Sequence, residues 1–209
     1  MARTPTPTVL ENEHVVLRPT DAADGPALFA AFDDASVWTW LTSPRPATAA
    51  GMQTYVDAAL AERVRGTHFP WTVRVAGSGV IAGWSSYGDI EPRHERIEIG
   101  WTAYAPRWQR TAVNTATKLL LLGHAFDDLG YERVSLKTDG RNERSQAAIL
   151  RLGATYEGTL RSHSRRGDGT RRDTVYFSIL RAEWPAVRAN LAARLNARPA
   201  HDHEASGSL

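Results

Sequence analysis

The stretch IEIGWTAYAPRWQRTAVNTATKLLLL, residues 97–122, joins a strand-like segment to an apolar segment of helical length. Its first part alternates in polarity and predicts a strand over 96–104, because successive strand side chains point to opposite faces. Its last part predicts a helix over 113–129 with Gly130 as its stop. This helix is apolar on all sides around 119–122, so we expect it to be mostly buried.

The loop between this strand and this helix, residues 105–114, has the position of an anion-binding site. A helix N-terminus offers unpaired N–H groups and roughly half a positive charge, which suits phosphate or pyrophosphate. Such loops usually contain glycine, whereas this one has Ala112 and Asn114, and it matches neither the P-loop nor the dinucleotide-binding pattern. From spacing alone, an ordinary loop with solvated Arg107 and Arg110 is the simpler interpretation.

The remaining segments predict one α/β domain with a single mixed, mostly antiparallel twisted sheet flanked by helices. Alternating polarity predicts strands over 14–19, 68–76, 80–90, 132–139, 154–166 and 171–180. Apolar spacing and cap residues predict helices over 20–34, 48–65, 142–152 and 183–195, while 37–46 reads as a loop. We assign 13–195 to the domain and expect 1–12 and 196–209 to be disordered tails.

Composition limits the classes of protein that fit. The chain has 209 residues, no cysteine and a formal net charge of +2. Disulfides, a thiolate nucleophile and cysteine-ligated metals are therefore excluded, and nothing points strongly to nucleic acid. No apolar run approaches the roughly 20 residues of a membrane span, and no secretory signal is visible, so we expect a cytoplasmic protein. The basic residues are nearly all arginine, with Lys118 and Lys137 the exceptions.

Two further features carry polar side chains at element boundaries. Asn142 precedes a helix and Ser145 lies one turn into it, which fits simple N-capping or a pair of polar groups beside a ligand. Glu98 alternates with Ile97 and Ile99, so it faces away from their apolar side, towards either a cleft or solvent.

These features together resemble the GNAT superfamily of acyl-CoA-dependent N-acyltransferases, and more narrowly its RimJ/RimL-like branch. The order is the same: a strand with a glutamate, a pyrophosphate loop leading into a helix, and then N-x-x-S-x-x-A-x-x-x-L-G-A at 142–154. The resemblance covers roughly residues 12–195. It implies acetyl-CoA as co-substrate, no metal, and a sheet whose strands at 97–103 and 134–138 splay apart.

The resemblance also implies which residues hold the CoA. Asn142 would contact the pantetheine arm, and Ser145 would protonate the departing thiolate. Asn114 could cap the helix itself. Backbone groups of the loop would hold the pyrophosphate and those of the splayed strand the pantetheine; these residues are Gln109, Arg110, Thr111, Ala112, Val113, Asn114, Thr115, Trp101, Thr102 and Ala103.

Physical chemistry assigns a role to Glu98. An α-amino group near pKa 8 is partly protonated at neutral pH and must lose a proton before it attacks a thioester. Glu98 is the candidate base, provided that burial raises its pKa. Tyr104 and Tyr176 are alternatives to Ser145 as the acid.

The acceptor is expected to be a primary amine: a small molecule, an amino acid, an antibiotic or a protein N-terminus. The fold would place Trp38, Trp40, Trp71 and Trp84 around its cleft beside Glu98, although aromatic residues are more often core. The arginines of 161–172 flank a turn and are expected to be solvated, with an acidic or RNA-associated target as the sharper alternative.

Other classes remain open at this level. A non-catalytic acyl-CoA-binding module could have the same fold, and a homodimer is possible by resemblance. An RNA-binding protein fits poorly with the near-neutral charge, and neither DNA nor a membrane is expected as a partner. His201 and His203 are not a credible metal site.

Overall fold

Alternating polarity places eight strands in one sheet within residues 1–197, the part of the chain that the computed structural model describes. The sheet order is β1-β2-β3-β4-β5-β6-β8-β7. The strands are β1 Leu10–Glu11, β2 Val15–Pro19, β3 Phe69–Val75, β4 Ile81–Glu91, β5 Arg96–Tyr104, β6 Arg133–Asp139, β7 Thr155–Arg165 and β8 Arg171–Leu180.

The sheet is mixed and mostly antiparallel, as the sequence predicts. Among the described strands, every neighbouring pair is antiparallel except β5 with β6. The parallel register joins Arg96–Glu98 to Arg133–Ser135 and ends there, although both strands continue. The two strands therefore separate beyond Glu98, and a wedge opens near the middle of the sheet.

Helices cover both faces of the sheet. One apolar cluster joins the sheet to α4 and α6, and a second joins its other face to α1, α2 and α3. No helix within residues 1–197 is both long and apolar enough to cross a bilayer. The helices are α1 Gly25–Ala31, α2 Ala35–Trp38, α3 Ala49–Val64, α4 Ala112–Gly123, α5 Glu143–Leu152 and α6 Trp184–Asn196.

Local capping chemistry sets several helix boundaries where the sequence predicts them. Thr48 caps α3 by accepting a hydrogen bond from the Gly51 N–H at 3.1 Å. Asn142 caps α5, and Gly153 ends it with a φ of 106°, which glycine adopts more readily than other residues.

The N-terminal segment differs from expectation, because it packs against the domain instead of forming a disordered tail. Ala2 is buried, and the Arg3 N–H donates to the Leu129 carbonyl at 2.8 Å. The Trp71 indole N–H donates to the Thr8 carbonyl at 3.0 Å, and β1 pairs with β2. These contacts order the segment, although its threonine- and proline-rich composition predicts disorder. Of the predicted C-terminal tail, 198–209 lie outside the described residues.

Two further expectations need correction. The helix predicted to run to residue 129 ends as α-helix at Gly123 and continues as a wider π-helical turn over His124–Asp128. The Tyr87 hydroxyl donates to the Leu121 carbonyl at this widening. The segment 37–46, expected to be a loop throughout, includes the end of α2, which Asp34 caps.

Candidate active site

A cavity of about 890 Å³ occupies the wedge between β5 and β6. Its walls come from both splayed strands, the starts of α4 and α5, the segment after α2, and the β7–β8 hairpin. The predicted site residues that line it are Trp40, Glu98, Trp101, Thr102, Ala103, Gln109, Arg110, Thr111, Asn114, Thr115, Asn142 and Ser145.

Strand β5 carries a β-bulge at the wedge. Gly100 pairs with Ser86 and Ala103 with Trp84, so Trp101 and Thr102 together oppose the single residue Ser85. Trp101 has a φ of 48°, the left-handed region that is uncommon for a bulky residue. Bulges of this kind redirect side chains and backbone groups beside functional sites.

A buried lysine braces this bulge. The Lys118 ammonium on α4 donates to Thr102 Oγ1 at 2.7 Å and lies 3.5 Å from Ser85 Oγ, while the two hydroxyls are 2.8 Å apart. Lys118 is 5% exposed and lines the cavity. Burial lowers its pKa to about 7, although the Glu98 carboxylate opposes the shift. An amine in this state can change its protonation near neutral pH.

Glu98 faces the cavity and not solvent. Its side chain is 1% exposed, and its Oε2 lies 2.7 Å from the Lys137 ammonium on β6. Burial raises the pKa of Glu98 to about 7, Lys137 counteracts the shift, and Asp89 adds to it. A carboxylate with this pKa is a stronger base than an exposed one and is still about half ionised at neutral pH.

Glycine beside Glu98 makes room for its carboxylate. A Cβ on Gly100 would lie 2.6 Å from Glu98 Oε1, closer than such atoms approach. The Trp101 indole similarly covers Gly88, where a Cβ would lie 2.2 Å from the ring. The Trp101 ring also packs against His68, with ring centroids 4.7 Å apart. These packing contacts fix the carboxylate and the indole at one end of the wedge.

The start of α4 points its first turn at the opposite end of the cavity. Thr111, not Asn114, is the N-cap: its Oγ1 accepts from the Val113 N–H at 3.3 Å and donates to the Trp108 carbonyl at 2.7 Å. Arg110 takes the left-handed conformation with a φ of 64°. Ala112 already lies in the helix, so this position does not need a glycine.

Loop residues divide between the cavity and the core. Asn114, freed from capping, lines the cavity from the first turn of α4. The Gln109 amide donates to the Tyr104 carbonyl at 3.0 Å and ties the loop to the end of β5. The side chains of Ala112 and Val113 pack into the main core, so only their backbone groups can serve a ligand.

Asn142 and Ser145 fit both of the interpretations that their sequence left open. The Asn142 Oδ1 accepts from the Ser145 N–H at 3.0 Å, which is N-capping, and both residues also line the cavity. Of the alternative acids, Tyr104 lines the cavity, and burial raises the pKa of its hydroxyl, although Thr117 beside it opposes the shift. Tyr176 is half-buried, with its ring 5.8 Å from the Lys137 ammonium.

Of the four tryptophans predicted around the acceptor cleft, one lines the cavity and three lie in the core. Trp40 lines the cavity and lies 5.7 Å from the Arg141 guanidinium. Trp38, Trp71 and Trp84 are buried in the two apolar clusters instead. The expectation that these three contact the acceptor is wrong, because their rings fill the core against neighbouring aromatic side chains.

Two arginines of the β7–β8 hairpin also differ from expectation. Arg166 and Arg172 are each only 8% exposed, although both were expected to be solvated. Arg166 grips the buried Asp139 carboxylate, with Nε 2.5 Å from Oδ2 and Nη2 2.9 Å from Oδ1. Arg172 lines the cavity. Arg161, Arg165 and Arg171 are exposed, so three of the five arginines in this hairpin keep the expected solvated position.

Lys118, Lys137 and Arg172 are the site residues that sequence reasoning missed. One signal was available for the lysines: the chain has 25 lysines and arginines, and only these two are lysines. An arginine cannot lose its proton in a protein, whereas a lysine can. Both lysines lie beside Glu98 or the bulge that follows it. Within residues 1–197 no cluster of metal-ligating side chains occurs, and His201 and His203 lie outside the described residues.

Comparison with known proteins places this geometry in a family. Residues 14–155 match the acetyltransferase (GNAT) domain. The chain belongs to the GNAT acetyltransferase family. It is therefore an acyltransferase, and the GNAT resemblance read from the sequence is confirmed.

Individual relatives agree with this assignment. The chain is 26% identical over 175 residues to the uncharacterized N-acetyltransferase YoaA of Bacillus subtilis (strain 168), covering 83% of this chain and 97% of YoaA. The crystal structure of a GCN5-related N-acetyltransferase from Brucella melitensis superposes with a TM-score of 0.85 at 32% identity, over 92% of this chain and 87% of that one.

A third comparison extends the likeness of fold to lower identity. Mycobacterium smegmatis RimJ in complex with CoA-disulfide has the same fold, with a TM-score of 0.77 at 20% identity, over 90% of this chain and 95% of RimJ.

Proposed function

We propose that this protein transfers an acetyl group from acetyl-CoA to a primary amine while both are bound. The observation that carries the proposal is the buried Glu98 carboxylate, with its pKa raised to about 7, in a wedge that also receives the N-terminus of α4. A base and an anion-binding helix end in one cavity are what an amine acceptor and a CoA donor require.

The residues present fit CoA. The first N–H groups of a helix have no partner within the helix. In α4, the Val113 N–H donates to the Thr111 hydroxyl. The others, on Thr111, Ala112 and Asn114, would bind the pyrophosphate, with Gln109 and Arg110 beside them. The pantetheine arm would lie in the wedge, against the backbone of Trp101–Ala103 and the side chain of Asn142. The RimJ protein of the same fold forms a complex with CoA-disulfide, which supports CoA as the ligand.

Glu98 would accept the proton of the acceptor amine, directly or through a water molecule. When bound, acetyl-CoA supplies a thioester carbon that a neutral amine can attack. Lys137 orients the Glu98 carboxylate through its 2.7 Å contact. Burial raises the pKa of Glu98 towards that of the acceptor amine, from which it takes the proton. Holding the two reactants in one cavity supplies a further part of the rate.

The bulge on β5 would stabilise negative charge on the thioester oxygen. Beyond Glu98, one side of β5 has no pairing with β6, so the backbone N–H groups of Trp101–Ala103 that point to that side would be the donors. Lys118 holds Thr102, so these donors are fixed before the reaction begins. Ser145 would donate a proton to the departing sulfur, which is the smaller contribution because a thiolate leaves readily.

The test measures free CoA released from acetyl-CoA in the presence of amines, N-terminal peptides and aminoglycosides, together with calorimetric binding of CoA. Turnover with at least one amine supports the proposal. CoA binding without turnover on the whole panel would instead favour a non-catalytic acyl-CoA-binding module. Failure to bind CoA would overturn both.

A further inference from the structure

Arg172 brings a buried cation to the wall of the cavity. It lies near the start of β8, opposite Ser164 of β7, and both residues line the cavity. The neighbouring wall carries His163 and Thr174, whose Nδ1 and Oγ1 atoms lie 3.1 Å apart. Only 8% of Arg172 is exposed, so its guanidinium faces the cavity side of the hairpin and not bulk solvent.

Within residues 1–197, the Arg172 Nε has no hydrogen-bond partner, and the ion pairs of the nearby Asp139 are made with Arg166 and Arg141. The neighbouring carboxylates are already engaged. Asp139 is held by both arms of Arg166 and by the Arg141 N–H at 2.9 Å, and Glu98 is held by Lys137 at 2.7 Å. One positive charge is thus left over at this wall of the cavity.

A charge of this kind is costly unless something pairs with it. Guanidinium does not release its proton in proteins, so Arg172 cannot escape the cost of burial by becoming neutral. Its two parallel N–H donors match the two oxygens of a carboxylate. Arg172 and Glu98 line the same cavity, so one ligand can meet both.

We propose that Arg172 binds a carboxylate of the acceptor, so that the substrate is a primary amine that carries a carboxylate group. The amine would lie at Glu98 and the carboxylate at Arg172. This inference rests on the proposed acetyltransferase function and narrows its acceptor. A free amino acid and a peptide with an acidic N-terminal residue share this chemistry.

The first experiment compares matched acceptors that differ only in this group. Free amino acids are paired with their amides, and peptides beginning with Asp or Glu with those beginning with Asn or Gln. The wild-type enzyme is expected to prefer the acid of one pair by roughly 10- to 100-fold in kcat/KM, the size of a lost charged hydrogen-bonding pair. Which pair shows the preference distinguishes the two sources.

Substitutions test whether Arg172 causes the preference for the acid. Arg172→Gln should abolish it, by raising KM for the acid while leaving the amide within about twofold. Arg172→Lys keeps the positive charge but not the two parallel N–H donors, and it should restore part of the preference for the acid. Arg161→Gln removes the same charge from an exposed position on β7 and should change neither acceptor. Equal use of acid and amide by the wild type, or equal loss on both in Arg172→Gln, would overturn the inference.

A binding measurement separates this inference from the proposed function. With CoA present, calorimetry compares N-acetylated amino acids with their amides in wild type, Arg172→Gln and Arg161→Gln. Tighter binding of the acid that only Arg172→Gln loses supports the carboxylate site even if no amine is turned over. Equal binding of both contradicts it. CoA affinity and thermal unfolding report whether each variant is folded, and if Arg172→Gln is not, Arg172→Lys and the wild-type acid preference decide.

Discussion

The two ends of the cavity are built in different ways. At the proposed donor end, the segments 109–115 and 142–145 are each continuous in sequence, and they present backbone groups of helix starts. At the proposed acceptor end, Trp40, Lys137 and Arg172 come from three separate segments and contribute side chains. The difference shows that backbone-built sites can be read from local pattern, whereas side-chain sites exist only once the sheet is assembled.

The largest expected effect lies at the acceptor end. Glu98→Gln should lower kcat by roughly 100-fold or more while leaving the affinity for CoA unchanged, because it removes the base but no donor contact. Steady-state kinetics and CoA calorimetry measure the two. Glu91→Gln, a half-buried glutamate at the end of β4, is the matched control and should retain activity.

The pH profile sharpens this prediction. The base must be ionised, and burial raises its pKa to about 7, so activity should rise through pH 7 and level off above it. An acceptor amine that is already neutral at pH 6 keeps its own titration out of the profile. Glu98→Gln should flatten the rise. A profile of unchanged shape in this variant would remove Glu98 from the role of base.

Lys118→Met should have opposite effects on activity and stability. Without its donor, the Thr102 bulge loosens, and we expect kcat to fall roughly tenfold. The pKa of Lys118 falls from an ordinary 10.5 to about 7 on folding, so burial of the charged form destabilises the protein below pH 7 and this cost disappears between pH 7 and 10.5. The variant should therefore be more stable at neutral pH, by roughly 1–3 kcal/mol.

Urea unfolding at several pH values measures this difference, which should shrink as the pH approaches 10. Leu119→Met, the next residue of α4, controls for a methionine in this helix. Lower stability of Lys118→Met at pH 7 would show that the lysine is a net stabilising contact.

Ser145→Ala should have a smaller effect, lowering kcat by roughly three- to tenfold, because a thiolate leaves without much help. KM for acetyl-CoA should not change, since the cap of α5 uses the backbone N–H of residue 145 and not its hydroxyl. Ser78→Ala, in the remote β3–β4 turn, serves as the control. Full activity in both Ser145→Ala and Glu98→Gln would show that both assignments are wrong.

The smallest effect separates the ends of the cavity most cleanly. Thr111→Ala and Thr48→Ala each remove one helix N-cap and should each cost about 1 kcal/mol of stability. Only Thr111→Ala should also raise KM for acetyl-CoA, by roughly threefold, because α4 lines the cavity and α3 does not. Equal KM values in the two variants would mean that the N-terminus of α4 does not hold the donor.

The order of elements and most boundaries followed from local rules. Thr48, Asn142 and Gly153 are capping residues whose chemistry is visible in the sequence, and β5 has the alternation of a strand. The site residues near those boundaries, Glu98 and Ser145 among them, could be placed for the same reason. The burial of Glu98 was the condition for its role, and the structure supplies it.

What could not be predicted depends on contacts between distant segments. The N-terminal residues are ordered by Trp71 and Leu129, which no local pattern reveals. Arg172 has the same local signature as the solvated arginines around it, and only the pairing of β8 with β7 turns it inward. Trp38, Trp71 and Trp84 show the converse. Their positions in the sequence predict a place around the cleft, but their side chains pack in the core.

The scarcity of lysine has a practical consequence for chemistry on this protein. Apart from an α-amino group, an acylating reagent meets only two side-chain amines, and both flank the candidate site. Burial lowers the pKa of Lys118 to about 7, whereas the pKa of Lys137 is raised by the Glu98 and Asp89 carboxylates, which outweigh its burial. Near neutral pH the reagent should therefore react differently with the two lysines. Peptide mass mapping of the acylated lysines would then report whether a ligand occupies the cavity.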